Sequence, residues 1–343
     1  MKTVLKSYDL KNNSKDFDKM KDLNKSNKLF SNPLFITLTA LLCCALWGSA
    51  TPAIKIGYEL MLPDKDVPST ILFAGIRFFF AGVFTVIIFS IARKKLILPK
   101  ANNLGRVGIV SLVQTVLQYI FFYVGLANTS GVKGTILTGS STFFAILIAA
   151  LIFRQEKLNT KKIVACVLGL AGIVVINLNG LSLSMNFLGD AFCVFSAISL
   201  ALSSTLIKRF SKHEDPVTIS AYQFILGGEV MMVIGLAAGG IITVESIKSV
   251  LLLIYLALLS AVAYSLWGIL LKYNPVSKVT VFSFTTPVFG VLLSMLLLTE
   301  SSGVGILNLI SALLLVALGI FILNADLGEI KKKLTKLFKK SSK

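Results

Sequence analysis

The residues in this chain best suited to chemistry are neutral and polar, and they sit inside long apolar stretches. Gln114, Gln118, Tyr119 and Tyr123 follow one another at helical spacing in one such stretch, which puts two amides and two phenols on adjoining helix faces. An amide left bare in hydrocarbon costs roughly 2–7 kcal/mol, so this face is expected to look inward, toward a polar path through the protein. Tyr264, Ser265 and Trp267 stand at corresponding places much later in the chain, and Ser141, Thr142, Thr285 and Thr286 add hydroxyls. Amides, hydroxyls and aromatic rings around one cavity suit a small amphipathic metabolite such as an amino acid. Taken singly, each of these residues could equally well tie one helix to another.

Three ionisable residues also lie within apolar stretches. Lys55 is close to a helix end, where its amine can reach the interface. Arg77 can do the same or pair with a carboxylate. Glu229 falls near the middle of its stretch, where a carboxylate is expected to be functional and, once desolvated, able to hold a proton. It is therefore a candidate for proton coupling or gating, together with Lys55. Two prolines join that group: Pro52 and Pro287 each free a carbonyl and invite a bend beside a cavity. Glu156 and Glu300 end their stretches and are expected to serve as caps or interface residues.

Other chemistries lack their residues. The single histidine, His213, is in a loop, and there is no H-E-x-x-H pair, no G-x-S-x-G turn and no phosphate-binding P-loop. An intramembrane enzyme and an ATP-driven pump are thus unsupported, and no cofactor or metal is implied. A membrane scaffold or sensor would not need polar positions in both halves. Cys43, Cys44, Cys166 and Cys193 all lie in apolar stretches without a C-x-x-C pair and are expected to be small buried hydrophobes.

The elements that must position these residues are membrane helices. Apolar residues make up 55% of the chain and charged residues 15%; a soluble protein carries about 25% charged residues. Spanning a bilayer takes about 20 apolar residues. Ten such runs occur, at 34–57, 69–91, 107–127, 132–153, 163–178, 190–207, 217–238, 250–271, 279–298 and 304–323, the fifth being short. The net charge of +18 is one-sided. With ten crossings, 29 of the 34 Lys and Arg fall on the side of the two termini, and only Lys65, Lys133 and Lys248 on the other. This asymmetry predicts cytoplasmic termini and explains the basic character without nucleic acid.

The chain also repeats itself. At an offset of about 144, Val132 falls on Val276, Thr142 on Thr286, Glu156 on Glu300 and Tyr123 on Trp267. Arg77-Phe78 likewise falls opposite Gln223-Phe224, and Ala81-Gly82 opposite Gly227-Gly228. Five runs per half make the second copy enter from the opposite side, so the repeat must be inverted. The expected fold is an all-α polytopic membrane protein of ten helices in two inverted five-helix repeats.

Leu46-Trp47-Gly48-Ser49 followed by Pro52 and Lys55, Arg77-Phe78, the runs ending at Glu156 and Glu300, and the Gly172 and Gly319 segments together resemble the EamA-type members of the drug/metabolite transporter superfamily. The resemblance covers about 34–323. It departs at Phe143, where the family often has proline, and before Glu156 and Glu300, where it usually has glycine. It implies a metabolite transporter of the cell membrane that works as an exporter by alternating access, through facilitated diffusion or proton antiport. It also favours an inward role for Arg77. The candidate substrate-binding set is then Trp47, Arg77, Gln114, Gln118, Tyr119, Tyr123, Ser141, Tyr264, Trp267 and Thr286. The expected organisation is a polar cytoplasmic tail at 1–33, repeats at 34–178 and 190–324, an external linker at 179–189 and a basic amphipathic tail at 325–343. Two fused halves can enclose the path, so a monomer suffices; the expected partners are a small-molecule substrate, the lipid bilayer and, for a coupled carrier, protons.

Overall fold

The structure is a computed structural model that describes residues 28–64, 66–129, 131–178, 186–297 and 305–324. The two tails, most of the central linker, Lys65 and Glu300 lie outside the described residues.

Among the described residues, nine helices are long and apolar enough to cross a membrane: α1 Pro33–Met61, α2 Val67–Ala92, α3 Ala101–Ala127, α4 Lys133–Ile152, α6 Phe187–Phe210, α7 Pro216–Ala237, α8 Ile247–Tyr273, α9 Val276–Leu296 and α10 Ile306–Asn324. The remaining expected span is α5, Thr160–Ile176, an apolar helix of 17 residues. The ten-helix expectation thus becomes nine helices of spanning length and one shorter one, at the run the sequence already marks as short. Starts are written locally. Asn32, Asp66 and Asp215 accept from the first free amides of α1, α2 and α7, and a proline follows within the first two positions of each.

The halves are related by a two-fold exchange, visible in how the helices meet. A Cβ on Gly82 of α2 would lie 2.5 Å from the Ala221 carbonyl oxygen of α7, and one on Gly228 of α7 would lie 2.8 Å from the Gly75 carbonyl oxygen of α2. Gly82 matches Gly228 in the repeat, and Gly75 matches Ala221, so these are one contact made twice. The α5–α10 pair behaves alike: Gly172 abuts the Ala312 oxygen at 3.1 Å and Gly319 the Ala165 oxygen at 2.8 Å. Helices in lipid gain from close backbone approach because there is little hydrophobic drive between them. Glycine at these crossings is what lets α2 meet α7 and α5 meet α10 on the axis. The other contacts come in reciprocal pairs: α1 packs on α8 and α9, as α6 packs on α3 and α4.

Three helices are interrupted. α3 carries π-helical turns over Ser111–Leu117. α4 breaks between Gly131–Gly139 and Ser141–Leu147, and α9 passes through a 3-10 stretch at Val281–Thr285 before Thr286–Leu297. The breaks in α4 and α9 fall at matching repeat positions. Pro287 is the second residue of the segment after the break, where a missing N–H costs no helical bond. Pro52 instead lies inside α1, which stays helical through it.

Candidate substrate site

The inward-facing polar residues meet on the two-fold axis, midway along the helices. At its centre, Phe78 of α2 stacks on its repeat partner Phe224 of α7, with ring centroids 5.0 Å apart and planes 8° from parallel. Tyr119 of α3 and Tyr264 of α8 share a hydroxyl–hydroxyl hydrogen bond of 2.8 Å. Trp47 of α1 packs edge-on against Tyr264 at 5.1 Å and against Trp267 at 4.9 Å. Tyr123 lies 6.0 Å from Tyr119. Five of the expected residues, from three different helices, therefore form one aromatic wall.

Polar groups point into the same region. The guanidinium of Arg77 lies 4.3 Å over the Phe78 ring and 5.8 Å from that of Tyr119. Gln114 and Gln118 are buried beside them on α3. Thr115 donates to the Gln223 carboxamide oxygen at 2.5 Å, bridging α3 and α7. Among the described residues, several buried polar atoms have no hydrogen-bond partner: Trp47 Nε1, Arg77 Nε, Gln118 Oε1, Gln223 Nε2, Ser265 Oγ and Thr286 Oγ1. They come from six helices, α1, α2, α3, α7, α8 and α9. Buried polar atoms in a folded protein are nearly always paired. A concentration of unpaired donors and acceptors on the axis between two halves is a place where a polar solute can supply the partners.

The remaining expected residues fall elsewhere. Ser141 is buried just after the α4 break, one residue before Thr142, which donates to the Thr280 carbonyl of α9 at 3.0 Å. Lys55 is exposed near the end of α1, four residues before Glu59, and both have partners of their own. Glu229 is exposed on α7, next to Gly228 and Gly227, which face α2 and α3. One helical step separates a residue facing the axis from one facing outward, and a helix apolar all round gives no moment to tell the two apart. Sequence reasoning missed Tyr58, Gln223 and Phe78 as parts of the cluster. The pairing of Arg77-Phe78 with Gln223-Phe224 was the signal for the last two.

One end of the bundle is closed by contacts between halves. Glu156, after α4, accepts from the amide of Ser277 at 3.1 Å and from its hydroxyl at 2.6 Å, and pairs with Lys162 at 3.0 Å. Gln155 donates to the Thr205 carbonyl at 2.9 Å, and Thr142 meets the Ser283 hydroxyl at 2.8 Å. Loops at the same, basic end are also braced. Arg93 pairs with Asp215 at 3.0 Å. Burial would raise Glu214, but the amides of Lys100 and Asp215 and the Asn103 carboxamide hold it below the usual carboxylate range.

Comparison with known proteins decides the family. The EamA-like transporter family matches residues 34–178 and again 187–325. The chain belongs to this family. It is 26% identical over 280 residues to the uncharacterized transporter YoaV of Bacillus subtilis, spanning 80% of this chain and 92% of that one. A protein of Salmonella typhimurium named as a probable amino-acid metabolite efflux pump is 27% identical over 276 residues, 76% of this chain and 86% of its own. A solved structure with 17% identity superposes with a TM-score of 0.69 over 84% of this chain and 95% of that one, which establishes the shared fold. This EamA-like protein is accordingly a multi-pass membrane transporter of small molecules.

Proposed function

We propose that this EamA-like protein exports small amphipathic metabolites, amino acids and related compounds among them, by alternating access. The observation that carries this reading is the aromatic wall between the halves, with unpaired polar atoms of Trp47, Arg77, Gln118 and Gln223 from four helices beside it. A solute bound there touches both repeats, and the halves can close around it first at one end and then at the other. The closed basic end supports one such state. The substrate set is Trp47, Arg77, Gln114, Gln118, Tyr119, Tyr123, Ser141, Tyr264, Trp267 and Thr286, with Pro52 and Pro287 shaping the helices beside it. The excess of Lys and Arg supports a cytoplasmic basic end and cytoplasmic termini in the cell membrane. The amino-acid efflux name of the Salmonella relative supports the substrate class.

Purified protein in liposomes loaded with a small-molecule extract tests the proposal. Time-dependent loss of amphipathic metabolites relative to protein-free liposomes is expected. Retention of every compound would sink it. Repeating the assay with a pH gradient, and with none, separates proton-coupled export from passive facilitation.

A further inference from the structure

Arg77 lies midway along α2 with 4% of its surface exposed. The ion pairs Arg93–Asp215, Lys133–Asp190 and Lys162–Glu156 do not involve Arg77, and the side chains acting on its charge are tyrosines. The groups that face its charge are the hydroxyls of Tyr58, Tyr119, Tyr123 and Tyr264, and its Nε has no hydrogen-bond partner among the described residues. Two of those hydroxyls, on Tyr119 and Tyr264, already bond each other. The ring contacts with Phe78 and Tyr119 offset only part of the charge's desolvation. Removing a charged group from water costs several kcal/mol. Rings and neutral phenols therefore do not balance the charge, and a counter-anion would. Glu229 is not that anion, because it is exposed on the outward face of its helix.

The surroundings define the anion. A planar guanidinium matches carboxylate or phosphate through two parallel hydrogen bonds. Yet the cluster holds one formal charge: Gln114, Gln118, Gln223, Ser265 and Thr286, its other polar members, are all neutral. One positive charge balances a monoanion, whereas a phosphate monoester would leave excess negative charge in a dry site. Tyr264, which faces Arg77, also touches Trp47, whose indole continues to Trp267. An aromatic surface thus adjoins the cation and suits an apolar side chain attached to the acid.

We propose that Arg77 binds the carboxylate of the transported compound, so that the substrates are monocarboxylates, amino-acid zwitterions included, rather than amines, sugars or phosphate esters. This rests on the reading that solute lies between the halves. The test loads liposomes containing the full-length protein with a small-molecule extract, either untreated or with its carboxylates converted to methylamides. The compounds lost from the untreated extract are expected to carry a carboxylate, and their amides to leave at least about tenfold more slowly, as expected for a lost charge-assisted hydrogen bond. Arg77→Gln is expected to slow the carboxylates by a similar factor and so to abolish the difference between acids and amides. Equal loss of acids and amides, or selective loss of phosphate esters, overturns the assignment while leaving the transport reading intact. Loss of nothing from either extract overturns the transport reading itself. Should Arg77→Gln fail to fold, the acid-against-amide comparison in the unaltered protein decides.

Discussion

α4 and α9 are the same element used twice, yet they are not in the same condition. In the first half of α9, residues 276–285 are all buried apart from half-buried Lys278 and Ser283. In the matching half of α4, residues 133–141 are half-buried apart from buried Gly134 and Ser141. The first half of α9 is fastened to the other repeat through Glu156 and Thr142. Its counterpart at the opposite end reaches Asp190 of α6 through Lys133 at 2.6 Å, with Thr129 of the preceding loop bonded to the same carboxylate at 2.7 Å. A two-fold repeat whose halves are packed unequally has a natural second state, with the inequality reversed. The axis pairs α2–α7 and α5–α10 are by contrast reciprocal in detail. Under the proposed alternating access, identical contacts belong to what stays fixed and unequal ones to what moves.

That division can be broken by substitution, and the basic end offers the largest effect. Glu156→Ala leaves Lys162 buried without its partner and removes both acceptors from Ser277. The expected loss is about 3–5 kcal/mol in thermal unfolding, the usual consequence of breaking a buried pair. A cysteine placed at Ser283 should also become easier to label from the basic side. Unchanged melting and labelling would show that this end is not latched. On the axis, Gly228→Leu and Gly82→Leu each force a side chain against the partner backbone, at about 1–3 kcal/mol or more. The two should cost nearly the same, because they are one contact made twice. A large inequality between them would mean that α2 and α7 do not sit on an axis.

At the opposite end the effects should be smaller. Asp190→Asn weakens a pair whose side chains are 14% and 16% exposed, and about 1 kcal/mol is expected, well below Glu156→Ala. Equal losses at the two ends would erase the asymmetry between α4 and α9. The loop brace at the basic end adds a dependence on acid. Glu214 is held below its unfolded value, so its contribution is present above the ordinary carboxylate range near pH 4.3 and fades as pH falls through the lowered folded value. Protection of the Lys100 and Asp215 amides against hydrogen exchange, taken relative to their intrinsic rates, should fall there. Glu214→Gln should remove that acid dependence of the protection.

How much of this was readable beforehand depended on which physical signal each feature leaves in a sequence. Spans leave length and apolarity, so nine long helices and the short α5 were legible. The inverted repeat left matched small residues, and Gly82, Gly228, Gly172 and Gly319 proved to be the axis crossings. Trp47, Tyr119, Tyr123, Tyr264 and Trp267 gathered as expected because large polar-tipped rings are poorly placed against lipid. Facing was harder to read. Lipid and protein interior are both apolar, so α7 shows no stripe that separates Gly228 from Glu229. Tyr58 lies in the last turn of α1, where spacing alone gave no sign that its hydroxyl faces Arg77. The unequal packing of α4 and α9 has a trace in side-chain size, since Thr138 and Ser140 stand where α9 has Phe282 and Phe284.

Glu229 is where the comparison makes its smallest and sharpest demand. Its counterpart in the first repeat is Val83, so it lies outside the matched contacts of the axis, and it is exposed on the outward face of α7. A group that touches neither the aromatic wall nor the closed end has no means of sensing which end is open. Glu229→Gln should therefore change folding stability by no more than about 0.5 kcal/mol, the usual range for a peripheral site. Flux driven by a pH gradient in liposomes should equal that of the unaltered protein. Loss of that flux, with folding intact, would place proton coupling on the outer face of α7, and the moving parts could then no longer be confined to α4 and α9.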